Sequence, residues 1–180
     1  MIRAVLIAFA GLPGSGKTTL ARLVAQELRA VVFRIDAFVS SLERAGVSAF
    51  PELGRASYAA AATAVEAALR AGHTTVIDAV NGFQAGRDMW RDLARDTGSD
   101  LRFVEVICTD ESEWRRRLER RDHESPGIGP TTLAEVRAKE YAPFVDDRLI
   151  VDTSGRTPAE AASEILGHLA GRACAGGNDG

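Results

Sequence analysis

Gly11-Leu12-Pro13-Gly14-Ser15-Gly16-Lys17-Thr18 sets glycines, a lysine and a hydroxyl in the order G-x-x-x-x-G-K-[ST]. Each residue type there has a physical reason. Glycines let the backbone adopt positive φ and bring its N–H groups against the oxygens of an anion. A helix opening at Lys17 turns its unpaired N–H groups, and the positive end of its dipole, toward the same anion. Lys17 adds a compact, mobile charge suited to β- and γ-phosphates, and Thr18, followed by Thr19, offers a hydroxyl to Mg²⁺. The chain has twenty arginines but only two lysines, Lys17 and Lys139. One of the two stands where a broad, planar guanidinium would be a poor substitute.

A phosphate cradle alone suits a switch, a motor or a phosphotransferase, and three further stretches discriminate. In Val31–Phe38, "VVFRIDAF", Asp36 falls where a strand ends and a helix can begin. A carboxylate on that edge of a parallel sheet faces the ligand crevice and can take the proton of an attacking hydroxyl. The competing reading makes Asp36 the N-cap of the next helix. In Thr74–Asn81, "TTVIDAVN", Asp78 ends another apolar run, the placement of an acid that holds a metal's water shell, or equally of an ordinary strand-end turn carboxylate. Asn81 and Arg87 are weaker candidates for the same crevice.

The third stretch is Asp110–Gly127, "DESEWRRRLERRDHESPG". At ~100° per residue, Trp114 and Leu118 share a buried stripe, with Arg117 and Arg121 beside it. Arg115, Arg116, Glu119 and Arg120 point elsewhere. Arg117 and Arg121 therefore aim at the protein ahead of a turn-rich loop, where lid arginines can neutralise a transferring phosphoryl group. Competing with that is a solvated charged helix end.

The elements that must position these residues are legible as alternating patterns. Strand-length apolar runs occur at 4–10, 31–35, 74–77, 101–108 and 149–151, nearly continuous as in a sheet covered on both faces. Helical patterns lie between them at 17–29, 55–71, 84–97, 111–121, 133–141 and 158–170. Thr157-Pro158-Ala159-Glu160 and Thr132-Leu133-Ala134-Glu135 read as capping boxes. The expectation is one doubly wound α/β domain over 1–170, a lid around 117–132 and a flexible tail at 171–180.

The net charge of −3 disfavours a polyanion partner. Cys108 and Cys174 are too few for a disulfide framework, and Cys108 reads as a buried small hydrophobe. The apolar start is too short to span a membrane, so the expectation is a soluble, cytoplasmic chain.

From Val5 through Ser154 the sequence resembles the phosphate-loop kinases related to polynucleotide kinase, chloramphenicol phosphotransferase and the zeta toxins. The glycine loop, "IDAF", "VIDAVN" and the arginine helix carry the resemblance. It implies a three-layer fold with five parallel strands in the order 2-3-1-4-5. It also implies ATP as donor, Asp36 as base, lid duty for Arg117 or Arg121, and Asp152-Thr153-Ser154 near the adenine. Polynucleotide kinases carry an arginine three residues after the base, where this chain has Val39. That departure and the acidic balance disfavour a nucleic-acid acceptor. Phe38, Val39, Phe50 and Leu53 suggest a pocket for a small, partly apolar alcohol, or equally ordinary core. The expected activity is ATP- and Mg²⁺-dependent phosphoryl transfer to a small-molecule hydroxyl. Rivals are a polynucleotide or nucleotide-sugar kinase of the same fold, and a regulatory ATPase that transfers nothing.

Overall fold

The apolar run ahead of the glycines forms β1 (Val5–Ala10), the central strand of a five-stranded sheet. The computed structural model describes residues 3–47, 52–124, 132–145 and 147–175. β1 lies between β3 (Thr75–Asp78) and β4 (Asp100–Ile107), with β2 (Val31–Arg34) and β5 (Arg148–Asp152) at the edges. All four pairings are parallel and the order is β2-β3-β1-β4-β5, as the resemblance implies. Connecting and flanking helices are α1 (Lys17–Leu28), α2 (Ile35–Arg44), α3 (Glu52–Arg70), α4 (Gln84–Thr97), α5 (Glu111–Glu124), α6 (Leu133–Arg137) and α7 (Pro158–Ala175).

Successive β1 side chains alternate between the two faces of the sheet. Ile7 and Phe9 join Leu20 and Val24 of α1 and Ala161 and Ile165 of α7 in one buried cluster. Leu6 and Ala8 join Val65 and Leu69 of α3 and Trp90 and Ala94 of α4 in the other. Burial on both faces is why the strand is apolar without interruption. Each large apolar side chain so buried contributes roughly 1.5–3 kcal/mol. Cys108 is buried, as expected.

Both capping boxes form. Glu135 N–H donates to Thr132 Oγ1 at 3.2 Å and Thr132 N–H to Glu135 Oε2 at 3.0 Å. At the head of α7, Thr157 and Glu160 exchange the same pair of bonds at 2.8 and 3.3 Å. Several boundaries differ from expectation. β2 stops at Arg34 and Ile35 already belongs to α2, whereas α6 ends at Arg137 instead of Tyr141. α7 runs past residue 170 to Ala175, so the first half of the expected tail is helix, while 176–180 lie outside the described residues.

Asn81 and Arg87 do not face the crevice; both are fully buried structural groups. Asn81 turns the chain after β3 with φ 47°, a left-handed conformation that asparagine tolerates better than most residues. Its Nδ2 donates to Phe9 O at 2.7 Å, and its Oδ1 accepts from Trp90 Nε1 at 2.9 Å and Tyr58 OH at 3.3 Å. Arg87 donates to Asn81 O, Ala142 O and Pro143 O, and its guanidinium lies 4.2 Å from the Phe144 ring centroid. It thereby fastens the segment after α6 to α4. Asn81→Ala would strand three buried polar partners and strain the turn. It is expected to cost about 3–5 kcal/mol in urea unfolding, from roughly 1–3 kcal/mol per orphaned group. A loss below about 1 kcal/mol would show the network to be dispensable.

Candidate active site

The glycine loop leaves β1 through Gly11, whose N–H donates to Val80 O at 3.1 Å. Its φ is 140°, and a Cβ there would lie 2.3 Å from Val106 O of β4, so the close approach to β4 admits no side chain. Gly14 has φ 79°, and a Cβ would come within 2.9 Å of Trp114 and Leu118. α5 is thus pressed directly on the loop. Leu12 packs with Leu118 and Trp114, and Trp114 Nε1 donates to Pro13 O at 2.8 Å. Gly16 caps α1 without a side-chain bond, and no acid stands in the first turn of that helix. The N–H groups of the first turn are left for an anion.

A cleft of about 530 Å³ opens over this loop. Lys17, Thr18 and Thr19 form its floor, Arg34 and Asp36 one wall, and Glu113, Arg117, Arg120, Thr153 and Arg156 the other. The sheet order explains the division. β2 delivers Arg34 and Asp36 from one edge, β5 delivers Thr153 from the opposite edge, and the loop follows the strand between them.

Arg117 points inward, as the helical spacing predicts, but its donors are already engaged. Nη1 reaches Thr153 Oγ1 at 2.7 Å and Ser15 O at 3.4 Å, while Nη2 reaches Thr153 O at 3.0 Å and Glu113 Oε1 at 2.6 Å. Thr153 Oγ1 is itself 2.8 Å from Ser15 O. The Gly155 N–H first, and the Arg117 guanidinium with it, hold the Glu113 carboxyl below its usual range against the effect of desolvation. Burial raises the Asp152 carboxyl, but hydrogen bonds from Thr109 and Ser154 outweigh it and bring the group down to about 2. The β5 wall is therefore a cross-braced unit. The backbone of Arg121 lies in α5, but its side chain is outside the described residues, as are residues 125–131 of the lid expected at 117–132. Arg120 lines the cleft instead of pointing away from it; an exposed, long side chain on the flank of α5 reaches over the rim.

Asp36 does not cap α2. The N-cap is Arg34, which makes no side-chain capping bond, and Asp36 sits in the first turn with an exposed side chain on the cleft. Its charge, after burial as the main cause, helps push the Tyr58 phenol up. Asp78 ends β3 level with Phe9 of β1 and Arg34 of β2. Its Oδ2 accepts from Arg34 Nε at 3.1 Å; its Oδ1 is buried without a hydrogen-bond partner. Among the described residues Ser15 Oγ is the other buried side-chain atom in that condition. A buried, unpartnered carboxylate oxygen beside a phosphate loop fits a group that accepts bonds from metal-held water.

The apolar pocket expected from Phe38, Val39, Phe50 and Leu53 does not line this cleft. Leu53 is core, Phe38 and Val39 pack against the cluster on the α3/α4 face, and Phe50 lies outside the described residues. The walls are charged instead. Arg34, Glu113 and Arg156 also line the cleft, beyond the residues singled out by type and spacing; the signal for Arg34 is its place at the strand end two residues before Asp36.

A family model for the AAA domain, AAA_33, matches residues 6–145. The chain belongs to this AAA-domain family. No curated protein is similar enough in sequence to stand as a relative. Several solved structures share the fold. The APS kinase of Mycobacterium tuberculosis in complex with AMPPNP and APS is 22% identical, with TM-score 0.71 over 94% of this chain and 99% of that one. A gluconokinase from Sinorhizobium meliloti is 20% identical, with TM-score 0.63 over 95% and 93%. A sugar kinase from Janibacter is also 20% identical, with TM-score 0.63 over 93% and 95%. These similarities place the AAA-domain chain among the small phosphate-loop kinase folds. Among the described residues no helix is long and apolar enough to cross a membrane.

Proposed function

We propose that the protein is an ATP- and Mg²⁺-dependent phosphotransferase that moves a γ-phosphoryl group to a hydroxyl of a small molecule. The observation that carries this reading is one cleft in which Asp36, free of any capping duty, stands in a wall over the floor formed by Lys17 and Thr18. The shared fold with an APS kinase solved with AMPPNP and APS, and with a gluconokinase, supports it.

In this reading the amides of Gly11–Thr18 and Lys17 hold the phosphates, and the β5 wall with Thr153 takes the nucleoside. Among the described residues no three His, Cys, Asp or Glu side chains form a metal cage. Thr18 and Asp78 would therefore hold Mg²⁺ together with phosphate and water, the habit of this cation. The ion supplies charge neutralisation across the phosphates. Asp36 accepts the acceptor's O–H proton as that oxygen bonds to the γ-phosphorus. The bond to the β–γ bridging oxygen breaks, and ADP leaves with the electron pair. Arg117, Arg120 and Arg121 serve charge and closure on the α5 side, and exclusion of water there prevents hydrolysis.

The test is to offer labelled ATP and magnesium against sugars, sugar acids, nucleosides, antibiotics and 5′-hydroxyl oligonucleotides. Label on a small-molecule hydroxyl is the expected result. Label on the oligonucleotide alone would shift the assignment to a polynucleotide kinase, and release of phosphate with no labelled acceptor would favour a regulatory ATPase.

A further inference from the structure

The cleft carries more positive charge than a nucleotide site on the β5 side uses. Five cations line it, Lys17, Arg34, Arg117, Arg120 and Arg156, against the two carboxylates Asp36 and Glu113. Lys17 belongs to the phosphate loop. Arg117 is bound to Ser15, Thr153 and Glu113, and Arg156 to Glu164 at 2.6 Å and to Asp152 O at 3.3 Å. Arg120 stands on α5, on the nucleotide side.

Arg34 is different in place and in wiring. It ends β2 on the Asp36 side, and only its Nε is used, by Asp78 Oδ2. The Asp78 side chain is 4% exposed, whereas that of Arg34 is 47% exposed. A buried carboxylate thus orients the guanidinium from behind. Both terminal nitrogens, a planar two-pronged donor, have no protein partner among the described residues. Such a fork matches two oxygens of a carboxylate, sulfate or phosphate. The division of Asp78 is consistent with this arrangement: one oxygen sets Arg34 and the other remains open.

We infer that the acceptor carries an anionic group near its reacting hydroxyl, and that Arg34 binds that group. The inference rests on the phosphotransferase reading of the same cleft. It replaces the apolar alcohol expected from the sequence with a hydroxy acid, hydroxy-phosphate or hydroxy-sulfate.

Two measurements test it, and they separate its failure from that of the reading beneath it. Calorimetry first establishes that AMPPNP with magnesium binds, filling the phosphate loop. Inorganic sulfate is then titrated into that complex. Wild type is expected to bind sulfate, and Arg34→Ala to bind it at least about tenfold more weakly. Because Arg34 also bonds Asp78, each variant is first saturated with AMPPNP and magnesium, so that any loss of donor affinity is read separately. Arg34→Lys keeps a cation against Asp78 and lacks the fork, so it should melt like wild type yet recover only part of the sulfate affinity. It carries the test if the alanine variant fails to fold. The second measurement compares kcat/KM for gluconate against sorbitol, glycerol 3-phosphate against glycerol, and adenosine 5′-phosphate against adenosine. The charged member should win wherever a pair is used, and Arg34→Ala should erase that preference mainly through KM. Sulfate binding that is absent, or indifferent to Arg34, overturns the inference and leaves the kinase reading standing; so does a preference for the neutral members. Failure of AMPPNP to bind overturns both.

Discussion

Lys17→Ala is expected to lower phosphoryl transfer by on the order of 10³-fold, about 4 kcal/mol of transition-state stabilisation. The lysine opens α1 directly after the glycine turn and lines the cleft floor. Its charge is needed most as negative charge migrates toward the β–γ bridging oxygen, so kcat should fall further than nucleotide affinity. The helix does not depend on the side chain, since Lys17 is partly exposed and alanine is the better helix former. The melting temperature should therefore stay within a few degrees of wild type. Single-turnover transfer with a responsive acceptor measures the effect, and undiminished turnover would remove the loop from the mechanism.

Asp36→Asn is expected to leave AMPPNP binding intact and to cut transfer by about 10²–10⁴-fold, the range of a positioned general base. Asparagine keeps the shape and one acceptor oxygen but cannot take the hydroxyl's proton. Because Arg34 is the N-cap of α2 and makes no side-chain capping bond, the substitution removes no cap. A stability loss well beyond that of a first-turn acid, about 0.3–1 kcal/mol, is not expected. If transfer survives within a few-fold, Asp36 only orients the acceptor, and the proton leaves late to solvent or to the phosphoryl group itself.

The readable part of this molecule was local. The turn of the glycine loop between strand and helix, the alternation of apolar runs with helical patterns, and both capping boxes depend on residues a few positions apart. All three form, with element ends shifted by a few residues. The strand order came from resemblance, since no periodicity specifies which strand neighbours which. A helix beginning near Asp36 is expected from the sequence, but its span is not: Ile35, Phe38, Val39 and Leu42 follow i, i+3, i+4, i+7 spacing, hidden because Ile35 extends the preceding apolar run. Asn81 and Arg87 were misplaced for another reason. Their partners are Phe9, Tyr58, Trp90, Ala142 and Pro143, brought together only by the packed fold. Arg34 escaped notice likewise, because its partner Asp78 is 44 residues away. Burial of polar groups is a tertiary fact, and single-sequence patterns carry little of it.

The contacts of Trp114 with Pro13, of Arg117 and Thr153 with Ser15, and the tight fit at Gly14 bear on how a nucleotide arrives. In the phosphotransferase reading, the main-chain amides that would converge on a triphosphate are braced by these contacts, which belong to the fold itself. Their loss of freedom is charged to folding, so association spends little entropy on arranging the protein. In that reading the donor and acceptor sides meet at one point, since the Asp78 carboxylate that would help hold the metal also fixes Arg34; substitutions that keep this bond would alter acceptor choice with the least effect on the donor.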